Sequence, residues 1–156
     1  MGPWIHLDIQ INPKIIASGH MSTDHPVLHP TPDLCDTVVA LRAGLASASG
    51  LMSESLERAD SPANAHAYLR RFDAQARAVA AATDSAVAAG APLPPLAGLA
   101  VSIKDLFDVA GQPTTGGSKA MADAPAAEHD CPAVARLRAA GAALTGHTNL
   151  SEFAYS

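Results

Sequence analysis

The chain has 156 residues, of which 48% are hydrophobic and 16% charged, which is the range of a single globular domain and excludes a disordered segment. The formal net charge of −5 argues against a nucleic-acid binder, because such proteins usually carry a basic stripe. No apolar run approaches the roughly 18 residues of a membrane span, and two cysteines are too few for a disulfide framework. Together these properties predict a cytoplasmic protein that binds neither nucleic acid nor a membrane.

Residues 1–21 differ from the rest of the chain. They hold the only tryptophan and end in the tetrapeptide Ser-Gly-His-Met, which is typical of a cloning scar. We interpret them as a leader left by cloning, with the natural start at Met21, and exclude them from the fold prediction. A natural N-terminal strand or arm is the alternative.

Residues 22–32 form a Pro-rich lead-in. This segment contains His25 and His29, whose spacing binds zinc when both rings lie on one helix face. The prolines around them prevent such a helix, so no metal site is predicted.

Residues 33–90 are predicted to form a helical region. Apolar residues recur at helical spacing in three stretches, 33–43, 45–59 and 72–89. The segment 64–69 is ambiguous, and Arg70 and Arg71, with Asp73 and Arg77, are assigned to a solvated charged face. These helices contain no candidate nucleophile, metal cluster or phosphate loop.

Residues 91–156 have the pattern of an α/β unit. A Pro-rich connector ends at Gly98, and three elements follow it: a buried strand over 99–103, a helix over 130–140 and a second strand over 142–145. Strand, helix and strand in this order favour a parallel strand pair. The sequence Asn-Leu-Ser-Glu at 149–152 is typical of a capping box and predicts the start of another helix.

Lys104 directly follows the first of these strands. Functional sites of open α/β sheets collect at the carboxyl ends of strands. A partly buried lysine can lose its proton because a low dielectric disfavours the charged form, and it then acts as a base or forms a Schiff base. The alternative is a lysine that only marks where the strand reaches the surface.

Four segments carry a more specific signal through their content and order. They are Pro-Leu-Ala-Gly-Leu-Ala-Val-Ser-Ile-Lys-Asp-Leu-Phe-Asp-Val-Ala-Gly at 95–111, Pro-Thr-Thr-Gly-Gly-Ser at 113–118, the segment beginning Asp-Cys-Pro at 130–141, and Thr-Asn-Leu-Ser-Glu-Phe-Ala at 148–154. Their succession resembles the opening of the amidase signature family. The helical region 33–90 fits the N-terminal helices of that family more loosely.

The resemblance implies an α/β fold, namely an amidase-signature α/β/α sandwich with a mixed sheet, preceded by a helical region. It also implies hydrolysis of linear C–N amide bonds in a small-molecule substrate, without a cofactor, by a triad of serine, cis-serine and lysine. The lysine of the family falls on Lys104, which would take a proton through the bridging serine while the other serine attacks the carbonyl. Backbone N–H groups would stabilise the tetrahedral intermediate, and water would release the acid from the acyl-enzyme.

The two serines of the triad have no counterpart in this sequence. In the family they lie in a Gly- and Ser-rich segment downstream of the one that matches 148–154, and the chain stops at Ser156. We therefore interpret residues 91–156 as an incomplete start of the amidase core and expect the 156 residues alone to be inactive. The alternative is a non-catalytic truncated fragment or an assembly module. Unpaired strand edges predict aggregation, or cover by the missing C-terminal portion or by a homo-oligomer partner.

Five other residues in these segments are assigned structural roles. Ser118 follows a Gly-Gly turn in a structural part of the family's order and is not taken as the nucleophile. His147 stands where many relatives carry lysine, and we interpret it as a tolerated position at the surface or just behind the site. Asn149 and Glu152 are expected to hold local structure. Cys131, near a helix N-terminus, is interpreted as inert rather than as a reactive thiol.

Overall fold

The computed structural model describes residues 33–155, so the predicted leader and the lead-in with His25 and His29 lie outside the described residues. The helices and strands within this range are, in chain order, α1 Leu34–Arg42, α2 Ala48–Ala59, β1 Tyr68–Arg71, α3 Asp73–Ala88, β2 Ala100–Lys104, α4 Pro132–Ala139 and β3 Ala143–Thr148. None of the helices between residues 33 and 155 is long and apolar enough to cross a bilayer.

Helices α1 and α2 begin where polar side chains cap their free N–H groups. The Asp33 carboxylate accepts from the N–H of Asp36, and the Ser47 hydroxyl accepts from the N–H of Gly50. The cap at Ser47 places the start of α2 three residues later than predicted. Leu45, the first residue of the predicted helical stretch 45–59, therefore lies outside the helix, with 75% of its surface exposed.

The sheet has three strands in the order β1-β3-β2. Strands β2 and β3 are parallel and α4 connects them, which confirms the predicted strand–helix–strand unit. Strand β1 pairs with β3 in antiparallel orientation and makes the sheet mixed. The prediction missed β1, leaving 64–69 ambiguous and assigning Arg70 and Arg71 to a solvated charged face, because the hydrogen bonds that form this strand come from residues more than 70 positions away.

Two apolar cores lie on opposite faces of the sheet. On β3, Ala143 packs with α1, α2 and α3, whereas its neighbour Leu144 packs with Ile103 of β2 and Val134 of α4. Because consecutive residues of a strand point to opposite faces, helices cover the sheet on both sides. This arrangement is the predicted α/β/α layering.

Strand β2 is less buried than predicted. It has a neighbour on one side within the described residues, and Ala100, Ser102 and Lys104 are exposed while Ile103 is buried. The prediction of a buried strand is therefore wrong for Ala100, Ser102 and Lys104 in the described chain, where β2 lies at the edge of the sheet.

The capping-box prediction is also wrong. Residues 152–154 form one short 3₁₀ turn, and the side chain of Asn149, the predicted cap residue, accepts from the adjacent Leu150 N–H. The Glu152 side chain instead accepts a hydrogen bond from the distant Ser118 hydroxyl. A carboxylate used in this long-range contact does not close a local capping box.

Gly146 allows β1 and β3 to approach each other closely. Its φ is +152°, and a Cβ at this position would overlap the backbone carbonyl oxygen of Arg70. Only glycine fits this conformation and this spacing together.

Candidate active site

Strand β2 ends at Lys104, and a tight turn follows it. The Lys104 carbonyl oxygen accepts hydrogen bonds from the N–H of Leu106 at 2.6 Å and of Phe107 at 3.2 Å. The Lys104 side chain is exposed, and no residue between 33 and 155 forms an ion pair or hydrogen bond with its ammonium group. This amine is therefore open to a partner that approaches the end of β2.

An open groove of about 310 Å³ lies between β2 and α4. Its lining is mainly apolar, and Phe107, Val134 and Leu137 contribute to it together with Lys104. The volume is at the lower end of the range for small-molecule sites, which are typically about 300–1,000 Å³. The lysine thus borders a space that suits a small, largely apolar group.

Asp105 connects the end of β2 to the loop over 113–118. Its side chain is fully buried, and its oxygens accept from the N–H of Thr115 at 3.1 and 3.2 Å, from the N–H of Gly117 at 3.2 Å and from the Thr115 hydroxyl. Its own N–H donates to the Thr148 carbonyl oxygen at 3.2 Å. A buried carboxylate is costly unless hydrogen bonds compensate for lost water, and these donors supply that compensation.

His147 is buried beside Asp105. None of its surface is exposed, and Nδ1 lies 3.2 Å from Oδ1 of Asp105. The angle of this contact is not that of a hydrogen bond, and within residues 33–155 neither ring nitrogen has a hydrogen-bond partner. The surface alternative for His147 is therefore wrong, because Phe72 and the sheet enclose the ring.

Burial keeps the His147 imidazole neutral near pH 7. Desolvation lowers the pKa below its ordinary value of 6.5, and the positive charge of Arg70 lowers the pKa further. The charges of Asp105 and Asp108 and the Phe107 backbone oppose this shift without cancelling it. A second proton on the ring is thus disfavoured in the folded chain.

Ser118, Glu152 and Asn149 hold the loops around this site. The buried Ser118 hydroxyl donates to the Glu152 carboxylate and accepts from the N–H of Ala120. Asn149 donates from Nδ2 to the His66 carbonyl oxygen and accepts from the N–H of Leu150. Ser118 is therefore occupied as a structural group in the described chain, as its position in the sequence predicted.

Cys131 is half-buried at the start of α4, and its side chain does not cap the helix. The nearby Asp130 carboxylate accepts from the N–H of Ala110 and from Nε of Arg138. These contacts fix the start of α4 against the loop that follows Lys104, which is a structural role for Asp130.

The family model described as Amidase matches residues 51–156, which is more than half of the chain. The chain belongs to the amidase family. The match includes Lys104 and the segments 113–118, 130–141 and 148–154, so the resemblance and the α/β fold predicted from the sequence are confirmed.

Two curated proteins show how this chain relates to its family. It is 48% identical over 90 residues to AtzE, a 1-carboxybiuret hydrolase subunit of Pseudomonas sp. (strain ADP), in an alignment that covers 58% of this chain and 20% of that protein. It is 47% identical over 90 residues to a glutamyl-tRNA(Gln) amidotransferase subunit of Mycobacterium bovis (strain BCG / Pasteur 1173P2), covering 57% and 18%. The chain thus spans about a fifth of the length of the curated relatives it matches.

Solved amidase structures share the architecture. A structure described as a vestigial protein complex that reveals the origins of an s-triazine catabolic enzyme superposes with a TM-score of 0.75 and 38% identity, over 80% of this chain and 27% of that one. Native peptide amidase from Stenotrophomonas maltophilia superposes with a TM-score of 0.68 and 29% identity, over 82% and 26%. These likenesses confirm that the layers described above are part of the amidase fold.

The sequence placed Lys104 at the end of a strand but assigned no role to Asp105. A signal was present, since an acidic residue directly after the lysine precedes a Thr-Thr-Gly-Gly loop rich in backbone donors. The sequence pattern does not show that the loop folds back onto this carboxylate or that His147 joins it from β3.

Proposed function

We propose that this amidase chain supplies the lysine side of an active site that hydrolyses linear C–N amide bonds in a small molecule. The supporting observation is Lys104, which stands with an accessible amine at the carboxyl end of β2, inside the segment matched by the family. The two curated relatives named above act on different substrates according to their names, so we propose the bond type and not a particular amide.

In this proposal Lys104 is the general base. Its neutral amine accepts a proton that a bridging cis-serine relays from the nucleophilic serine, whose oxygen forms a bond to the amide carbonyl carbon. The proton then passes to the leaving nitrogen as the C–N bond breaks, and water hydrolyses the resulting ester. Both serines belong to the Gly- and Ser-rich segment that the resemblance places after residues 148–154. We therefore propose that residues 1–156 alone do not hydrolyse amides.

The test uses the longest product of the reading frame that contains residues 1–156, assayed for ammonia release from a panel of simple amides. Lys104→Ala should lower the rate by about 10²–10⁴-fold, which is the usual contribution of a general base. Lys119→Ala is the matched control, because Lys119 is also exposed but lies on a separate 3₁₀ turn.

Two results would contradict the proposal. One is a folded longer product that releases no ammonia from any amide of the panel, which would favour a non-catalytic assembly module. The other is activity that survives Lys104→Ala. If the 156-residue polypeptide itself hydrolyses amides after that substitution, a different site is responsible.

The exposed apolar side chains near Lys104 support a proposal about partners. Leu106, Phe107 and Phe153 are each between 40% and 56% exposed, and they follow β2 and β3 at the same end of the sheet. We propose that further amidase chain or a second copy covers this end. A 156-residue species that remains monomeric at high concentration would contradict this.

The two cysteines support a proposal about location. Cys35 and Cys131 are both free thiols, which is the state expected in a reducing compartment. We propose that the protein functions in the cytoplasm, and fractionation with a compartment marker tests this.

A further inference from the structure

The buried side chains of Asp105 and His147 join three parts of the molecule at the position of Lys104. Asp105 follows Lys104 directly, and its N–H is hydrogen-bonded to Thr148 at the end of β3. Its carboxylate holds the loop through Thr115 and Gly117. The hydrogen bonds of Asp105 therefore also hold the backbone of the adjacent Lys104 in position.

Besides its hydrogen-bond donors in the loop, the Asp105 carboxylate contacts the ring of His147. The distance from Nδ1 to Oδ1 is 3.2 Å. The charged groups that act on the ring come from two sides: Arg70 on β1, and Asp105 and Asp108 after β2. The start of α3 presents the uncharged Phe72 ring, with centroids 5.3 Å apart in an edge contact. Of these charged groups, Asp105 is the one buried in ion-pair contact with the ring.

Protonation of His147 would change which donors the Asp105 carboxylate accepts hydrogen bonds from. A neutral imidazole has one N–H and a charged imidazole has two, so both ring nitrogens become donors. A charged donor at Nδ1 then competes with the Thr115 N–H for Oδ1, while Gly117 donates to Oδ2 of the same carboxylate. Because charge-assisted hydrogen bonds are stronger than neutral ones, the carboxylate turns toward the ring and its bonds to the loop weaken.

We propose that Asp105 and His147 form a positioning pair for Lys104, and that a second proton on the His147 ring loosens the hold of Asp105 on Thr115 and Gly117. The inference rests on the proposed role of Lys104 in amide hydrolysis. It assigns His147 no contact with substrate. The neutral ring leaves the Asp105 carboxylate to its donors in the loop, and protonation of the ring loosens the lysine-bearing turn.

Competitive acetylation of the full 156-residue chain tests this without an activity assay. The chain has three lysines, at positions 14, 104 and 119, so the labelling of Lys104 relative to Lys119 can be read peptide by peptide in a mass spectrometer. Trace acetic anhydride is added at steps from about pH 7.5 to about pH 5, the range in which histidines titrate. The Lys104/Lys119 ratio should shift across this range in the wild type and stay constant in His147→Gln, which cannot titrate there.

Amide hydrogen exchange gives the second readout. The protection of the Thr115 and Gly117 N–H groups, corrected for intrinsic exchange, should fall on acidification by up to about tenfold per pH unit in the wild type, and not in His147→Gln. A ratio independent of pH in the wild type, or an equal pH dependence in His147→Gln, would overturn the inference.

A titration of the unaltered chain covers the case in which His147→Gln does not fold. By NMR, the His147 ring carbon and the amides of Thr115 and Gly117 should share one midpoint below pH 6.5, and separate midpoints would refute the coupling. None of these readouts measures catalysis. An inactive longer product would therefore contradict the proposed function and leave the coupling to be judged by its own data.

Discussion

Asp84, near the end of α3, caps the start of α2, which lies 36 residues earlier in the chain. One carboxylate oxygen is 2.6 Å from the N–H nitrogen of Ala48, and the other is 3.0 Å from that of Ser49. Free N–H groups at a helix start carry partial positive charge, so a carboxylate there stabilises the helix through hydrogen bonds and through the helix dipole. The same contact joins α2 to α3.

Asp84→Ala should lower the free energy of unfolding by about 1 kcal/mol, the usual effect of losing a cap. Ser85→Ala is the matched control, since the Ser85 hydroxyl bonds only to the Ala81 carbonyl oxygen of its own helix. Urea unfolding of the two variants measures the difference. Equal stability of both variants would show that the cap contributes nothing.

The Asp84 carboxylate also predicts an acid-dependent loss of stability. Burial would raise its pKa, but the hydrogen bonds from Ser49 and Ala48 outweigh burial and hold the pKa below 3.8. A group whose pKa is lower in the folded state stabilises the fold above its unfolded pKa. The contribution is therefore lost as the pH falls below 3.8 and through the folded pKa. Asp84→Asn should remove this part of the pH dependence in urea titrations.

His147 predicts a second loss of stability at milder pH. Its folded pKa lies below the unfolded value of 6.5, so the unfolded chain binds more protons in between and stability rises with pH there. The stabilising effect of the neutral ring is complete above pH 6.5 and declines on acidification through the folded pKa. Unfolding free energies of His147→Gln should vary less with pH, whereas the exposed His129→Gln should follow the wild type. A wild-type slope retained in His147→Gln would disprove this.

Gly146→Ala should disrupt the pairing of β1 with β3. Its Cβ would overlap the Arg70 carbonyl oxygen at a φ of +152°, and strain with a backbone clash predicts a loss of about 3 kcal/mol or more. Gly90→Ala separates the two effects, because Gly90 has a φ of +64° but no atom within 4 Å of the added Cβ. That control should lose only about 1 kcal/mol from backbone strain. Thermal unfolding compares them.

Ser118→Ala should destabilise the loop without acting on chemistry. It removes the hydrogen bond from the buried Ser118 hydroxyl to the exposed Glu152 carboxylate, and the loss should be about 1 kcal/mol, the usual net contribution of a hydrogen bond. In a double-mutant cycle with Glu152→Gln, the coupling energy between the two residues should be favourable and about as large as the loss caused by Ser118→Ala. A serine-directed fluorophosphonate should not label Ser118, and labelling there would restore it as a nucleophile.

The elements that local pattern determines were predictable. Apolar β-branched residues before Lys104 and the Pro and Gly signals around α4 predicted β2, α4 and β3, and with them the position of the lysine. Strand β1 was not predictable in this way, because it is short, half-buried and bulged and depends on pairing with β3. Its arginines also suit the surface of a helix.

The inner part of the site was beyond sequence reasoning for a similar reason. The burial of His147 results from Phe72, Asp105 and Arg70, which three separate segments bring together. A histidine in a polar motif near the C-terminal end of a strand gives no sign of that enclosure. The structure describes the position of Lys104 at the end of β2, and its catalytic role remains a prediction.

The order β1-β3-β2 has a consequence for how the chain acquires its sheet. The two outer strands are made first, during synthesis, and neither pairs with the other. Both must wait for residues 143–148, which form the centre. A nascent chain that has not yet reached residue 143 therefore carries two unpaired strands, and the sheet of the described residues forms when its middle strand arrives.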